Sequence, residues 1–71
     1  MLEMEGKILK YFSYRGFGFI EAEDSEKDLF FHMSNYPANM LPFVGQLVEF
    51  KVVETARGKE AVEINVKEQK G

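Results

Sequence analysis

Two short runs carry the side chains best able to do chemistry: Arg15-Gly16-Phe17-Gly18-Phe19-Ile20 and Asp28-Leu29-Phe30-Phe31-His32-Met33. Each reads as a strand, and side chains on a strand alternate between its two faces. Phe17 and Phe19 therefore share one face, and Phe30 and His32 share another. Ile20, Leu29 and Phe31 already supply apolar groups for the opposite faces. The chemistry that such a pair of strands supports is stacking, because an exposed aromatic platform takes flat, unpaired bases. Burial of Phe17 and Phe19 is the competing reading, since Phe is usually inside. Gly16 and Gly18 argue against it, because glycines between the rings fill no core. For Phe30 and Phe31, pattern alone does not choose which ring faces outward.

Little else in the chain suggests a reaction. No nucleophile has a paired base, no glycine loop is built to cradle phosphate, and the single His has no second His to join it. The chain has no Cys, which excludes a disulfide framework and a thiolate zinc site. The carboxylates between Glu21 and Asp28 lack the ordered spacing of a calcium loop. The expectation is a binding protein and not an enzyme, with no cofactor, no metal and no small-molecule substrate.

The 71 residues allow one domain, 1–71, with one small core. A hydrophobic fraction of 45% and a charged fraction of 30% fit a folded globular chain. No apolar run approaches a membrane span, and the charged N-terminal stretch lacks a signal-peptide core, so a cytoplasmic protein with no membrane partner is expected. The net charge of −3 lowers the expectation of tight binding to nucleic acid. Local potential depends on where charges sit, however. Lys7, Lys10 and Arg15 flank the aromatic run, while acidic residues concentrate in 21–28, along strand edges and in the tail.

Five strands are expected to hold these residues in place. Gly6 opens the first, which runs over Lys7–Phe12 after a lead-in of Met1–Glu5. Ser13–Gly16 is a turn, Phe17–Ala22 the second strand, 23–27 a polar hairpin loop and Asp28–Met33 the third strand. Pro37 and Pro42 rule out a long helix in 34–45, leaving room for one short 3₁₀ turn. Gln46–Glu54 and Glu60–Lys67 alternate apolar and polar residues about a turn at 56–59. The expected core is Ile8, Ile20, Leu29, Phe31, Val48, Phe50, Val52, Val62, Ile64 and Val66. Five short strands with Gly and Pro punctuation indicate a small all-β barrel or sandwich, and barrel closure removes exposed edges.

Over about residues 6–67 the chain resembles the cold-shock domain family. The resemblance is carried by Gly6-Lys7-Ile8-Leu9-Lys10-Tyr11-Phe12, by the two aromatic runs extended through Ser34, and by Gly45-Gln46-Leu47-Val48-Glu49-Phe50 and Arg57-Gly58-Lys59-Glu60-Ala61. The RNA recognition motif shares the opening of Arg15–Phe19, but Ile20 and Ala22 depart from its pattern. That domain also needs two helices, which no segment here can form. The cold-shock resemblance implies a five-stranded antiparallel barrel of the oligonucleotide-binding (OB) type. It implies binding of single-stranded RNA or DNA, by a protein that acts as an RNA chaperone and is a monomer. Matched position by position, the family's contacts fall on Lys10, Tyr11, Phe17, Phe19, Phe30 and His32. Lys7 and Phe12 lie on or beside that surface, and Arg57 matches a basic residue of the last turn. The rings would stack on bases, Lys7, Lys10 and Arg57 would meet phosphates, and His32 would stack when neutral and attract phosphate when protonated.

Departures from the family pattern bear on affinity and base preference. Tyr11 stands where the family usually has Trp, and the turn at Ser13-Tyr14-Arg15 is one residue shorter than usual. Met33 replaces an aromatic next to the His and keeps a polarizable contact there. Tyr36, Met40 and Phe43 are all candidates for the family's loop aromatic, and Tyr14 is a possible compensating ring. The alternative function is a protein–protein interaction module that uses the same exposed aromatic face.

Overall fold

The computed structural model describes residues 4–23 and 27–67, so the tip of the 23–27 loop, the first lead-in residues and the end of the tail lie outside it. Five strands form a closed barrel: β1 (Met4–Phe12), β2 (Phe17–Ala22), β3 (Leu29–His32), β4 (Leu47–Thr55) and β5 (Gly58–Val66). Their order around the barrel is β1-β2-β3-β5-β4, and β4 pairs back onto β1. All neighbours are antiparallel except β3 and β5, which run parallel. A single 3₁₀ turn over Met33–Asn35 opens the long connection from β3 to β4. The expected architecture is therefore present, with every expected strand within a few residues of its place.

Backbone register sorts side chains into an inner and an outer set. One inner row crosses four partners in succession: Tyr11 pairs with Gly18, Gly18 with Phe31, Phe31 with Ala61, and Ala61 with Val52. Phe31 and Ala61 are fully buried, and Ile8, Ile20, Leu29, Val48, Phe50 and Ile64 complete most of the core. Gly18 is required in this row. A Cβ there would strike the Lys10 carbonyl oxygen and lie 2.8 Å from Phe31 Cε1. Tyr36, just past the 3₁₀ turn, closes one side of the core with its ring 6.0 Å from that of Phe31. Burial raises the pKa of its phenol, whose oxygen has no hydrogen-bond partner among the described residues.

Two bulges change which residues face inward. In β1 the register shifts between Ile8 and Lys10, so Leu9 is an extra residue and the alternation inverts beyond it. Lys10 and Phe12 then face outward and Tyr11 inward. In β5 the register against β4 shifts between Glu49 and Lys51, and Glu63 sits opposite the shift with φ 51°. As a result Ala61 and Ile64 both point inward, three residues apart. Val62, expected in the core, is only half-buried and pairs with Lys51. Val52 and Val66 pack partly buried against the core, while Ala22, Tyr36 and Ala61 join it. Alternation of hydrophobic residues does not register a small inward alanine or a side chain inverted by a bulge.

Candidate nucleic-acid interface

The outer rows of the same strands bring the predicted rings together. Lys10 pairs with Phe19, Phe19 with Phe30, Phe30 with Glu60, and Glu60 with Val53, giving one continuous outer row. A second row runs from Phe12 through Phe17 to His32. Phe17 lies 5.3 Å from Phe12, 6.1 Å from Phe19 and 5.4 Å from Phe30, measured between ring centroids. Phe19 is 6.1 Å from Phe30, with the rings edge to face. Such spacings are favourable for aromatic pairs, so the rings hold one another in place before any ligand arrives. Phe12 is exposed, and Phe17, Phe19 and Phe30 are half-buried, each leaving part of its surface to solvent.

Cations edge this surface unevenly. The Arg57 guanidinium lies 5.9 Å from the centroid of the Phe30 ring, a cation–π contact from the β4–β5 turn. Lys10 and Arg15 are exposed, and no ion pair engages either one among the described residues. Lys7 is different: its Nζ lies 3.6 Å from Glu21, so part of its charge is already answered. Carboxylates collect at the other end of β1, where Glu5 holds Lys67 at 2.8 Å. The Lys67 ammonium is held above its ordinary pKa, first by that hydrogen bond and then by the charges of Glu5, Glu49 and Glu23. Much of the negative charge thus resides away from the rings.

His32 is fixed by the 3₁₀ turn that follows it. The Ser34 N–H donates to its Nδ1 at 3.1 Å, and Ser34 Oγ lies 2.9 Å from the same nitrogen. With Nδ1 accepting, the neutral ring carries its proton on Nε2, which is left free to donate.

Two predicted contact residues lie off this surface. Tyr11 faces the core, its ring stacked at 16° on Phe31 with centroids 6.3 Å apart. Its hydroxyl donates to Met33 Sδ at 3.3 Å, and Met33 also packs against the core. Both therefore brace the barrel beneath the platform. The inversion at Leu9 gives Lys10 and Phe12 the outward positions on that strand. Among the loop candidates, Tyr36 is buried, whereas Met40 and Phe43 are exposed beside Leu41 and Val44. Tyr14 is fully exposed on the β1–β2 turn. Sequence reasoning did not single out Glu60, which register places beside Phe30; a charged residue on an alternating strand reads as solvated surface.

The family model of the 'Cold-shock' DNA-binding domain matches residues 4–67. The chain belongs to the cold-shock domain family. It is similar to the cold shock-like protein CspE of Buchnera aphidicola, with 36% identity over 66 residues, covering 90% of this chain and 96% of that one. The cold shock-like protein CspE of Escherichia coli K12 is 35% identical over the same coverage. The cold shock-like protein CspC of Bacillus cereus is 38% identical over 63 residues, covering 86% of this chain and 95% of its own. Among solved structures, Drosophila Unr CSD456 superposes with a TM-score of 0.85 over 97% of this chain, at 23% identity. This chain spans 28% of that one, and at such identity the likeness concerns the fold alone. Nucleic-acid binding is the function at the level of the family.

Proposed function

We propose that this cold-shock domain protein binds single-stranded RNA or DNA by stacking bases on Phe12, Phe17, Phe19 and Phe30, and that it acts as an RNA chaperone. The observation that carries this reading is the cross-strand registration of those rings, with Lys10 on one side and Arg57 on the other. Each stacked base contributes about 1–3 kcal/mol by ring truncation, and stacking is tolerant of sequence. Duplex bases hide their faces from such a surface, so binding favours the melted form. A net negative chain with few free cations near the rings binds weakly and releases readily, as melting and rebinding require. Lys10, Arg57 and His32 meet the backbone or base edges, with Lys7 contributing less because of Glu21.

Titration with short oligo-dT, oligo-U and a duplex control, at low and moderate salt, tests this. Both single strands should bind, less strongly as salt rises, and the duplex should not. If neither single strand binds at low salt, the fold stands and the assignment is removed. The second reading, a protein-binding module, is favoured by the exposed run of Met40, Leu41, Phe43 and Val44. Apolar protein contact would be insensitive to salt over the same range.

A further inference from the structure

The rings stop at a turn, and the turn carries a ring of its own. Phe12 and Phe17 are the last pair of the β1–β2 ladder, so residues 13–16 border the platform. Three backbone hydrogen bonds hold that turn in place. The N–H groups of Arg15 and Gly16 both donate to the Phe12 carbonyl, at 3.0 and 2.9 Å. The Met33 N–H donates to the Gly16 carbonyl at 2.8 Å. Gly16, at φ 73°, supplies the left-handed step that closes the turn. Tyr14 stands on this fixed base wholly in solvent, with a relative exposure of 103%. Among the described residues no side-chain hydrogen bond or ring contact engages it. Arg15 beside it is exposed, and no ion pair engages it among those residues either.

The platform rings are placed differently. Phe17, Phe19 and Phe30 pack on one another and leave only part of each surface to solvent. Rings set flush in a sheet accept bases that are already unpaired. A ring that stands clear of the protein can insert where a helix ends, because the last base pair shows a face for stacking. We propose that Tyr14 is a melting wedge at the junction of duplex and single strand. When the end pair opens and one of its bases moves onto the platform, the Tyr14 ring takes that base's place against the next pair. Arg15 then lies beside the phosphates of the parted strand. The ring has this contact only in the opened state, and such a difference is what shifts an equilibrium. The inference rests on the stacking and chaperone functions proposed above.

The test separates binding from melting, for wild type, Tyr14→Ala and Tyr14→Phe. Binding is read by fluorescence anisotropy of a dye-labelled short oligo-U. Melting is read on an RNA hairpin with a single-stranded U tail, carrying a fluorophore and a quencher across the base of its stem, with protein saturating the tail. Tyr14→Ala should bind oligo-U within about twofold of wild type, because the platform rings that stack its bases are intact. Its equilibrium constant for opening the hairpin should fall by about tenfold, the worth of one stacked base. Tyr14→Phe keeps the ring and should open the hairpin as wild type does. Unchanged opening in Tyr14→Ala would overturn the proposal. An equal loss of oligo-U affinity and of opening would also overturn it, making Tyr14 one more stacking ring. So would a Tyr14→Phe variant as defective as Tyr14→Ala, since the hydroxyl and not the ring would then act. Denaturation midpoints should coincide; a lower one in Tyr14→Ala would mean that the ring packs on the barrel and is not free to insert. If wild type binds oligo-U yet opens no hairpin, the wedge and the chaperone role fall together and single-strand binding stands. If it binds neither, the stacking function itself fails.

Discussion

Phe30 and Phe31 are neighbours in the chain and identical in type, yet one is half exposed among the outer rings and the other is fully buried. Tyr11 and Phe12 differ in the same way, with the order of inner and outer reversed by the bulge at Leu9. The two faces of one small sheet therefore divide the labour. The inner row of Tyr11, Gly18, Phe31, Ala61 and Val52 holds the barrel closed. The outer row of Lys10, Phe19, Phe30, Glu60 and Val53 presents a surface that folding does not consume. An aromatic residue acquires its role here from register and not from its type.

The contrast breaks most severely from the inside. Phe31→Ala should cost about 3–5 kcal/mol of stability, as for other buried Phe truncations, a large share of what so small a domain has. Chemical denaturation followed by far-ultraviolet circular dichroism reads this directly. Gly18→Ala, with no room for a Cβ beside the Lys10 carbonyl and Phe31, should cost about 3 kcal/mol by overpacking. Wild-type stability in the Gly18→Ala variant would mean that the inner row is not closed as described. On the outer face, Phe19→Ala should weaken single-strand binding by about 1–3 kcal/mol while lowering stability far less than Phe31→Ala.

Smaller effects sharpen the comparison. Lys10→Gln should weaken binding to all sequences alike and lower the slope of log affinity against log salt by about 0.7. A changed base preference with an unchanged salt slope would take Lys10 out of contact with phosphate. Tyr36→Phe should be neutral or stabilising by up to about 1 kcal/mol, because it removes a buried hydroxyl that has no partner among the described residues. Burial raises the folded pKa of Tyr36 above the ordinary 10.0. Below that pH both folded and unfolded forms keep the proton; as pH rises through it, the unfolded chain loses its proton first and stability falls. Tyr36→Phe should lack that share of the alkaline loss in denaturation midpoint.

Much of this arrangement was legible in the sequence, and what escaped has a physical cause. Phe17 and Phe19, alternating with glycines, announced an uncovered platform, and Pro37 and Pro42 confined the long connection to a 3₁₀ turn. The bulges were not legible. Neither Leu9 nor Glu63 is a glycine, so nothing local marks an extra residue, yet each inverts the strand beyond it. Those inversions took Tyr11 off the platform and exchanged Val62 for Ala61 in the core. Met33 left the platform for another reason: β3 ends at His32, and the 3₁₀ turn that begins at Met33 carries its side chain against the core. The place of Glu60 beside Phe30 escaped because it depends on a parallel pairing between β3 and β5, far apart in sequence.

The most direct test of the division between faces pairs two measurements on Phe30→Ala: its denaturation midpoint and its affinity for a short oligo-U or oligo-C strand. The predicted result is a midpoint near that of wild type, with affinity lower by about tenfold or more, as loss of one stacking ring implies. A loss of stability matching that of Phe31→Ala would place Phe30 among the residues that hold the barrel together. An unchanged affinity in a folded protein would contradict the stacking platform itself.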